Sequence, residues 1–218
     1  MKIGLFTVLF GQKSFEETLD YCVECGVEAV EIGCGNWPGN AHCDPDILLK
    51  DKSKLRNFKN AVSDRGLIIS ALSCHGNPIH PNKSFAEKNR KVQRKTIQLA
   101  SELKVERVIT FSGCPGDSER SKYPNWVTCP WPPDFLQILD WQWNKVAIPY
   151  WKNEVKFAKS HGINMICLEM HPGFIVYNPE TLLKLRKAVG PVSGAYFDPS
   201  HLFWQGIDPL VAIKILGK

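Results

Sequence analysis

The sequence predicts an α/β fold of the (β/α)₈-barrel type on three observations. Six apolar, strand-like runs each precede a helical pattern, which is typical of a parallel sheet covered by helices. The turn after the first strand, 10–13, reads FGQK and lacks the G-x-G-x-x-G of a dinucleotide-binding open sheet. Polar residues follow the carboxyl ends of many strands, as expected where all strands surround one axis.

The strands are predicted from continuous apolar runs, because parallel strands are buried on both faces. They are Lys2 to Phe10, Val27 to Ile32, Leu67 to Ser73, Val105 to Phe111, Ile163 to Glu169 and Val192 to Asp198. Each run is followed by residues typical of a turn or of a helix start.

The helices are predicted from capping signals and from glycine stops. Ser14 and Glu17 have the spacing of a capping box, and Asn178 before Pro179 is an N-cap with proline at the first helical position. The predicted helices are Ser14 to Gly26, Asp46 to Arg65, Phe85 to Leu103, Trp143 to His161, Pro179 to Val189 and a last one from Asp208 onward.

Composition excludes several classes of function. The chain has 218 residues, 44% hydrophobic and 22% charged, which is ordinary for a soluble globular protein. Its net charge of +5 is spread over polar helical faces and indicates solvated surface, not a nucleic-acid site. No run reaches the roughly 18 apolar residues of a membrane span, and the N-terminus does not have the layout of a signal peptide. We therefore expect a cytoplasmic protein with no nucleic-acid or membrane partner.

Eight cysteines are scattered along the chain without a secretory signal, so we expect reduced thiols. The one C-x-x-C pair, Cys22 and Cys25, lies within a predicted helix and is interpreted as two small residues one turn apart.

The candidate site residues follow the strands. Glu169 and Asp198 end neighbouring strands, so their carboxylates are expected to converge as two ligands for one divalent cation. The side chains expected to contact substrate lie in equivalent places and are Glu31, Trp37, His75, His171 and His201. For each of these residues the alternative is a capping or loop-anchoring role.

Five motifs resemble the sugar-phosphate isomerase/epimerase group of xylose-isomerase-like TIM barrels, whose superfamily also contains the apurinic endonucleases. They are KIGLFTVLF at the N-terminus, VEAVEIG, ISALSCHGNP at 69–78, CLEMHPGFIVYNP at 167–179 and YFDPSHLFWQGIDP at 196–209. The resemblance implies a divalent metal, Mn²⁺, Mg²⁺, Co²⁺ or Zn²⁺, at Glu169 and Asp198. It also implies that His201 contacts a substrate hydroxyl, as in the epimerases, or binds metal, as in the zinc endonucleases; we favour the substrate contact.

For an isomerase or epimerase the demanding step is removal of a proton from a carbon next to a carbonyl. A divalent ion polarises that carbonyl, and a carboxylate such as Glu169 acts as general base. We therefore expect a metal-dependent isomerase or epimerase that acts on a sugar, a sugar phosphate or an inositol-type ketone through an enediolate.

The chain is shorter than the roughly 250 residues usual for this barrel. We expect one domain, 1–218, with about six of eight βα units, and expect it to lack about 60 residues, since a βαβ unit takes about 30. The resemblance implies that a His from strand seven and a Glu from strand eight would complete the site. Turnover by this chain is therefore an open question.

The segment 113–143 is expected to be a long loop over the functional face. Its tryptophans Trp126 and Trp131 are expected either to line a polyol pocket or to pack against a second copy in a homo-oligomer.

Two other functions stay open. One is an apurinic endonuclease-like hydrolase, although Ser112 stands where a histidine-rich zinc cluster would need a ligand. The other is an inactive barrel fragment that binds a polyol.

Overall fold

The computed structural model describes residues 1–217 and contains six parallel strands that alternate with helices. The strands are β1 (Gly4–Phe6), β2 (Ala29–Gly33), β3 (Ile68–Ser73), β4 (Arg107–Phe111), β5 (Met165–Glu169) and β6 (Ser193–Tyr196). The predicted alternation of strand and helix is therefore confirmed.

The helices connect these strands along the chain. They are α1 (Phe15–Glu24), α2 (Pro45–Leu48), α3 (Lys52–Ser63), α4 (Lys83–Leu103), α5 (Pro133–Trp141), a π-helix (Gln142–Ala147), α6 (Ile148–Ser160), α7 (Pro179–Val189), α8 (Ser200–Phe203) and α9 (Pro209–Leu216). The predicted capping box and the predicted N-cap are both present: the Ser14 side chain accepts from the Glu17 amide, and the Asn178 side chain accepts from the Thr181 amide. In the described part of the chain, no helix combines the length and the apolar character that crossing a bilayer requires.

The chain forms two compact units. The first contains Met1–His75, Lys91–Ile109 and His161–Asn164. In it β1 pairs with β2, β2 with β3 and the end of β3 with β4, and apolar residues of β2 and β3 such as Ile32 and Leu72 are fully buried.

The second unit contains Gly76–Arg90, Thr110–Ser160 and the chain from Met165 onward. In it β5 pairs with β6, with Glu169 opposite Tyr196. Its core includes Leu168 of β5 and Trp151 of α6, both fully buried. The expectation that the chain is a single barrel domain stays a prediction.

Several predicted boundaries are wrong. β1 ends at Phe6, because its pairing with β2 ends there and Thr7–Phe10 forms a 3₁₀ turn. The helix predicted from Asp46 to Arg65 is two helices, since the Asp51 carboxylate accepts from the amides of Ser53 and Lys54 and caps a new helix.

A further error concerns the segment 113–143, which is not a continuous loop. It contains α5, which has a proline at its first helical position and continues through the π-helix into α6. Several prolines and tryptophans precede α5, and such residues are typical of a loop. Pro133 followed by Asp134 is nevertheless a helix-start signal in the sequence.

Trp151 gives a test of the core of the second unit. Its ring is fully buried and its Nε1–H donates to the Ser112 carbonyl at 3.0 Å. We expect Trp151→Ala to lower the free energy of unfolding by about 3–5 kcal/mol, because it leaves a cavity and an unpaired carbonyl. Urea unfolding followed by circular dichroism measures this.

Trp131, which is 71% exposed, is the matched control, and we expect Trp131→Ala to change stability by less than about 0.5 kcal/mol. Equal losses in the two variants would contradict this account of the core.

Candidate functional site

The candidate site of the second unit lies at the carboxyl end of β5. Glu169 is the last residue of this strand and is only 9% exposed. Because Glu169 pairs with Tyr196 of β6, Asp198 lies just beyond the same edge of the two strands. β6 itself ends at Tyr196, so the prediction that this strand extends to Asp198 is wrong.

His201 contacts both carboxylates. Its Nε2 lies 3.0 Å from Glu169 Oε1 and 3.6 Å from Asp198 Oδ2. The residue lies on the short helix α8. α8 orients the imidazole toward the end of β5, and Gln205 binds the same segment through hydrogen bonds from its Nε2 to the carbonyls of His201 and Tyr177.

His171 is held in one orientation by its neighbours. Its Nδ1 lies 2.7 Å from the Pro172 carbonyl, which can only accept, so Nδ1 is the donor in this hydrogen bond. The rings of Phe111 and Phe174 stack 4.1 Å apart, and both meet the imidazole edge to face. The ring centroids of His171 and His201 are 4.2 Å apart.

Asp198 is more open than Glu169. The Ser200 amide donates to its Oδ1 at 2.8 Å. Burial alone would raise the pKa of this carboxyl, but hydrogen bonds from Ser200 and the nearby His201 and His171 outweigh that effect and lower the pKa. The group is therefore ionised at neutral pH.

Glu169, His171 and His201 together have the composition of a metal site. One ligand atom of each lies within 4.8 Å of those of the other two, and across residues 1–217 no other group of three His, Cys, Asp or Glu meets this distance. Metal–ligand bonds of about 2.0–2.2 Å place ligand atoms up to about 4.4 Å apart, so small side-chain movements suffice to bind one ion. Mixed carboxylate and imidazole donors suit Mn²⁺, Co²⁺ or Zn²⁺ better than Mg²⁺.

The first unit contains the other predicted site residues. Glu31 lies on buried β2, at the point where its register with β3 shifts, and accepts a hydrogen bond from Ser73 Oγ. His75 is 2% exposed, and its ring lies 6.4 Å from that of Trp37. The Trp37 amide donates to the His75 carbonyl at 2.9 Å, while the Trp37 side chain is 71% exposed. The structure thus brings Trp37 and His75 together, and Glu31 contacts Ser73.

The two tryptophans of the segment 113–143 differ. Trp126 is half-buried, and its ring meets that of Tyr177 edge to face at 5.3 Å. Trp131 is exposed. The choice between a pocket role and a contact with a second copy stays open for both residues.

Sequence reasoning missed the residues that support the site. Phe111 and Phe174 fix His171, and Gln205 fixes the segment of His201. Phe174 follows His171 by three residues in a tight turn, which is a signal that could have identified it, whereas the position of Phe111 at the end of another strand depends on tertiary structure. Ser112 has a structural role: its Oγ accepts from the Val176 amide at 2.9 Å.

The chain matches one family profile and one curated bacterial protein over most of its length. The sequence profile of the family described as Xylose isomerase-like TIM barrel matches residues 19–218. The chain is 41% identical over 220 residues to the uncharacterized protein YfiH of Bacillus subtilis, covering 100% of this chain and 70% of that protein.

Two solved structures share the fold at low identity. One is the probable 3-DHS dehydratase AsbF of Bacillus anthracis, with a TM-score of 0.69 and 20% identity over 99% of this chain and 69% of that one. The other is a D-tagatose 3-epimerase-like protein, with a TM-score of 0.68 and 21% identity over 99% of this chain and 71% of that one. With the family profile covering nearly its whole length, the chain belongs to the Xylose isomerase-like TIM barrel family.

Proposed function

We propose that the chain is a divalent-metal-dependent isomerase or epimerase of a sugar-type ketone, with its metal site at Glu169 and Asp198. The observation that supports this most strongly is the convergence of Glu169, His171 and His201 beside Asp198 at one end of β5. Family membership and the epimerase-like structural neighbour point in the same direction.

The residues fit a divalent ion. Glu169 and Asp198 provide anionic oxygens, and His201 Nε2 lies within 3.6 Å of an oxygen of each. Glu169 and Asp198 would hold the ion, and His171 lies with Glu169 and His201 in one group of possible ligands. When bound, the ion supplies Lewis-acid polarisation of a substrate carbonyl and of the enediolate oxygens.

Glu169 is the group we assign to proton transfer. Its carboxylate is largely shielded from water, and a general base works best when it is held next to the carbon it deprotonates. The carboxylate removes the proton from the carbon beside the carbonyl, and its hydrogen bond with His201 fixes its orientation.

His201 is assigned to the substrate. An imidazole that already lies 3.0 Å from the base can donate to, or accept from, the hydroxyl next to the reacting carbon. His171 is proposed as a further substrate contact. The substrate contacts expected at Glu31, His75 and Trp37 belong to the first unit and stay predictions, and the exposed ring of Trp37 is of the kind that stacks on the apolar face of a sugar.

A hydrolase reaction with a multinuclear zinc cluster receives less support. Such a cluster needs several imidazole ligands, and Ser112 at the end of β4 uses its hydroxyl to hold the backbone of Val176. An inactive barrel fragment would bind the same kind of polyol as the isomerase. Only a measurement of turnover therefore distinguishes these two functions.

Deuterium exchange tests the proposed reaction. The protein, loaded with Mn²⁺ or Co²⁺, is incubated in D₂O with a ketohexose such as D-tagatose. We expect deuterium at the carbon next to the carbonyl, because the enediolate is reprotonated from solvent. Proton nuclear magnetic resonance of the sugar detects it.

We expect Glu169→Gln to lower the exchange rate by about 10²–10⁴-fold. Sugar binding without exchange would support the polyol-binding fragment, and zinc-dependent cleavage of abasic DNA would support the hydrolase.

A further inference from the structure

Two buried thiols lie in contact in the first unit. Cys34 and Cys43 are 2% and 1% exposed, and their Sγ atoms are 3.4 Å apart. Neither residue belongs to the candidate site described above. The C-x-x-C pair that the sequence singled out differs, because Cys22 on α1 is buried and Cys25, the residue after α1, is exposed.

The thiol pair joins the two ends of one surface loop. Cys34 follows β2, and its amide donates to the Ser73 carbonyl at 2.8 Å, which extends the pairing with β3. Cys43 directly precedes Asp44, the N-cap of α2. The residues between them turn sharply, with the Gly35 amide donating to the Gly39 carbonyl at 2.7 Å, and they present the exposed ring of Trp37.

We propose that Cys34 and Cys43 are an oxidisable thiol pair that closes into a disulfide when the protein meets a peroxide, and so locks the loop that carries Trp37. The proposal does not depend on the proposed function, because it concerns only the chemistry of these two sulfurs. Their separation requires a movement of about 1.4 Å to reach the S–S bond length of about 2.05 Å.

The reaction balances with hydrogen peroxide as the oxidant. We take Cys43 as the sulfur that reacts first, because the Cys34 thiol can donate both to Cys43 Sγ and to the Ile32 carbonyl. Cys43 attacks one peroxide oxygen, which forms a sulfenic acid and releases hydroxide, and the thiol proton lost at the start converts this hydroxide to water. Cys34 then attacks the sulfenic sulfur, forms the S–S bond and releases a second water. Two thiols are thus oxidised while one peroxide is reduced to two waters.

The environment of Cys34 and Cys43 is closed to solvent. Burial, with the adjacent Cys43 sulfur, raises the pKa of the Cys34 thiol well above its usual value. A small oxidant close in size to water therefore suits this pair better than a bulky disulfide.

Peptide mapping tests the proposal on the intact chain. Cleavage after Glu31 and Lys50 releases a fragment, 32–50, whose only cysteines are Cys34 and Cys43. After brief peroxide treatment, quenching and alkylation in denaturant, we expect this fragment to be about 2 Da lighter than the unmodified peptide and to carry no alkyl groups. Reduction before alkylation should restore two alkylation sites.

The single variants Cys34→Ala and Cys43→Ala are the controls, with circular dichroism used to confirm folding. In each variant we expect fragment 32–50 not to become 2 Da lighter, because a single thiol cannot form the disulfide within this fragment. Full alkylation of Cys34 and Cys43 in the wild type, when exposed Cys25 and Cys129 have already been oxidised, would overturn the proposal. A disulfide from Cys34 to Cys74 would overturn it equally.

Discussion

Replacement of Glu169 by Gln is expected to weaken Mn²⁺ binding by more than about 100-fold. Even groups that only orient metal ligands contribute about 10- to 100-fold to affinity, and Glu169 is proposed to bind the ion itself. The substitution removes the negative charge while keeping the shape of the side chain. Isothermal titration of the folded chain with Mn²⁺ measures the change.

Two variants control this measurement. Glu119→Gln makes the same chemical change on an exposed loop, and we expect it to leave the affinity unchanged. Asp198→Asn removes the second carboxylate and is expected to lower the affinity by at least about tenfold. Wild-type affinity in a chain that carries both Glu169→Gln and Asp198→Asn would show that the ion binds elsewhere.

Replacement of His201 by Asn is expected to weaken ketohexose binding by roughly 5- to 150-fold, while Mn²⁺ affinity changes by less than about tenfold. The loss corresponds to about 1–3 kcal/mol, the range for an unpaired polar group at a buried contact. Sugar titration of the Mn²⁺-loaded chain provides the first number, and metal titration without sugar provides the second.

This variant separates the two roles that the sequence left open for His201. If Mn²⁺ affinity falls as far as in Glu169→Gln, His201 is a metal ligand and the substrate role is wrong. His161→Asn makes the same change at a half-buried position after α6 and serves as the control for general effects on folding.

Much of the fold could be predicted because its signals are local. A buried parallel strand needs a continuous apolar run, and a helix start needs a side chain that accepts from free backbone amides. Ser14 and Asn178 supply such acceptors, and both caps form as predicted. The errors arise where local signals compete: Asp51 caps a second helix inside a segment whose periodicity suits one continuous helix.

The candidate site could be predicted in part. That Glu169 and Asp198 lie at the same edge follows from the alternation of strands and helices, and the pairing of Glu169 with Tyr196 agrees with it. The place of His171 beside His201 depends on the turn after β5 and on the rings of Phe111 and Phe174, which come from distant parts of the chain. Spacing along a sequence does not contain such contacts, so the sequence left the role of His201 open between substrate and metal and predicted only a substrate contact for His171.

The most direct test of the metal site is a crystal structure of the chain grown with Mn²⁺, with anomalous diffraction used to locate the ion. We predict one strong anomalous peak within about 2.5 Å of a Glu169 carboxylate oxygen, with an Asp198 oxygen at a similar distance. A Mn²⁺ peak elsewhere, with these two carboxylates pointing apart, would contradict the central claim.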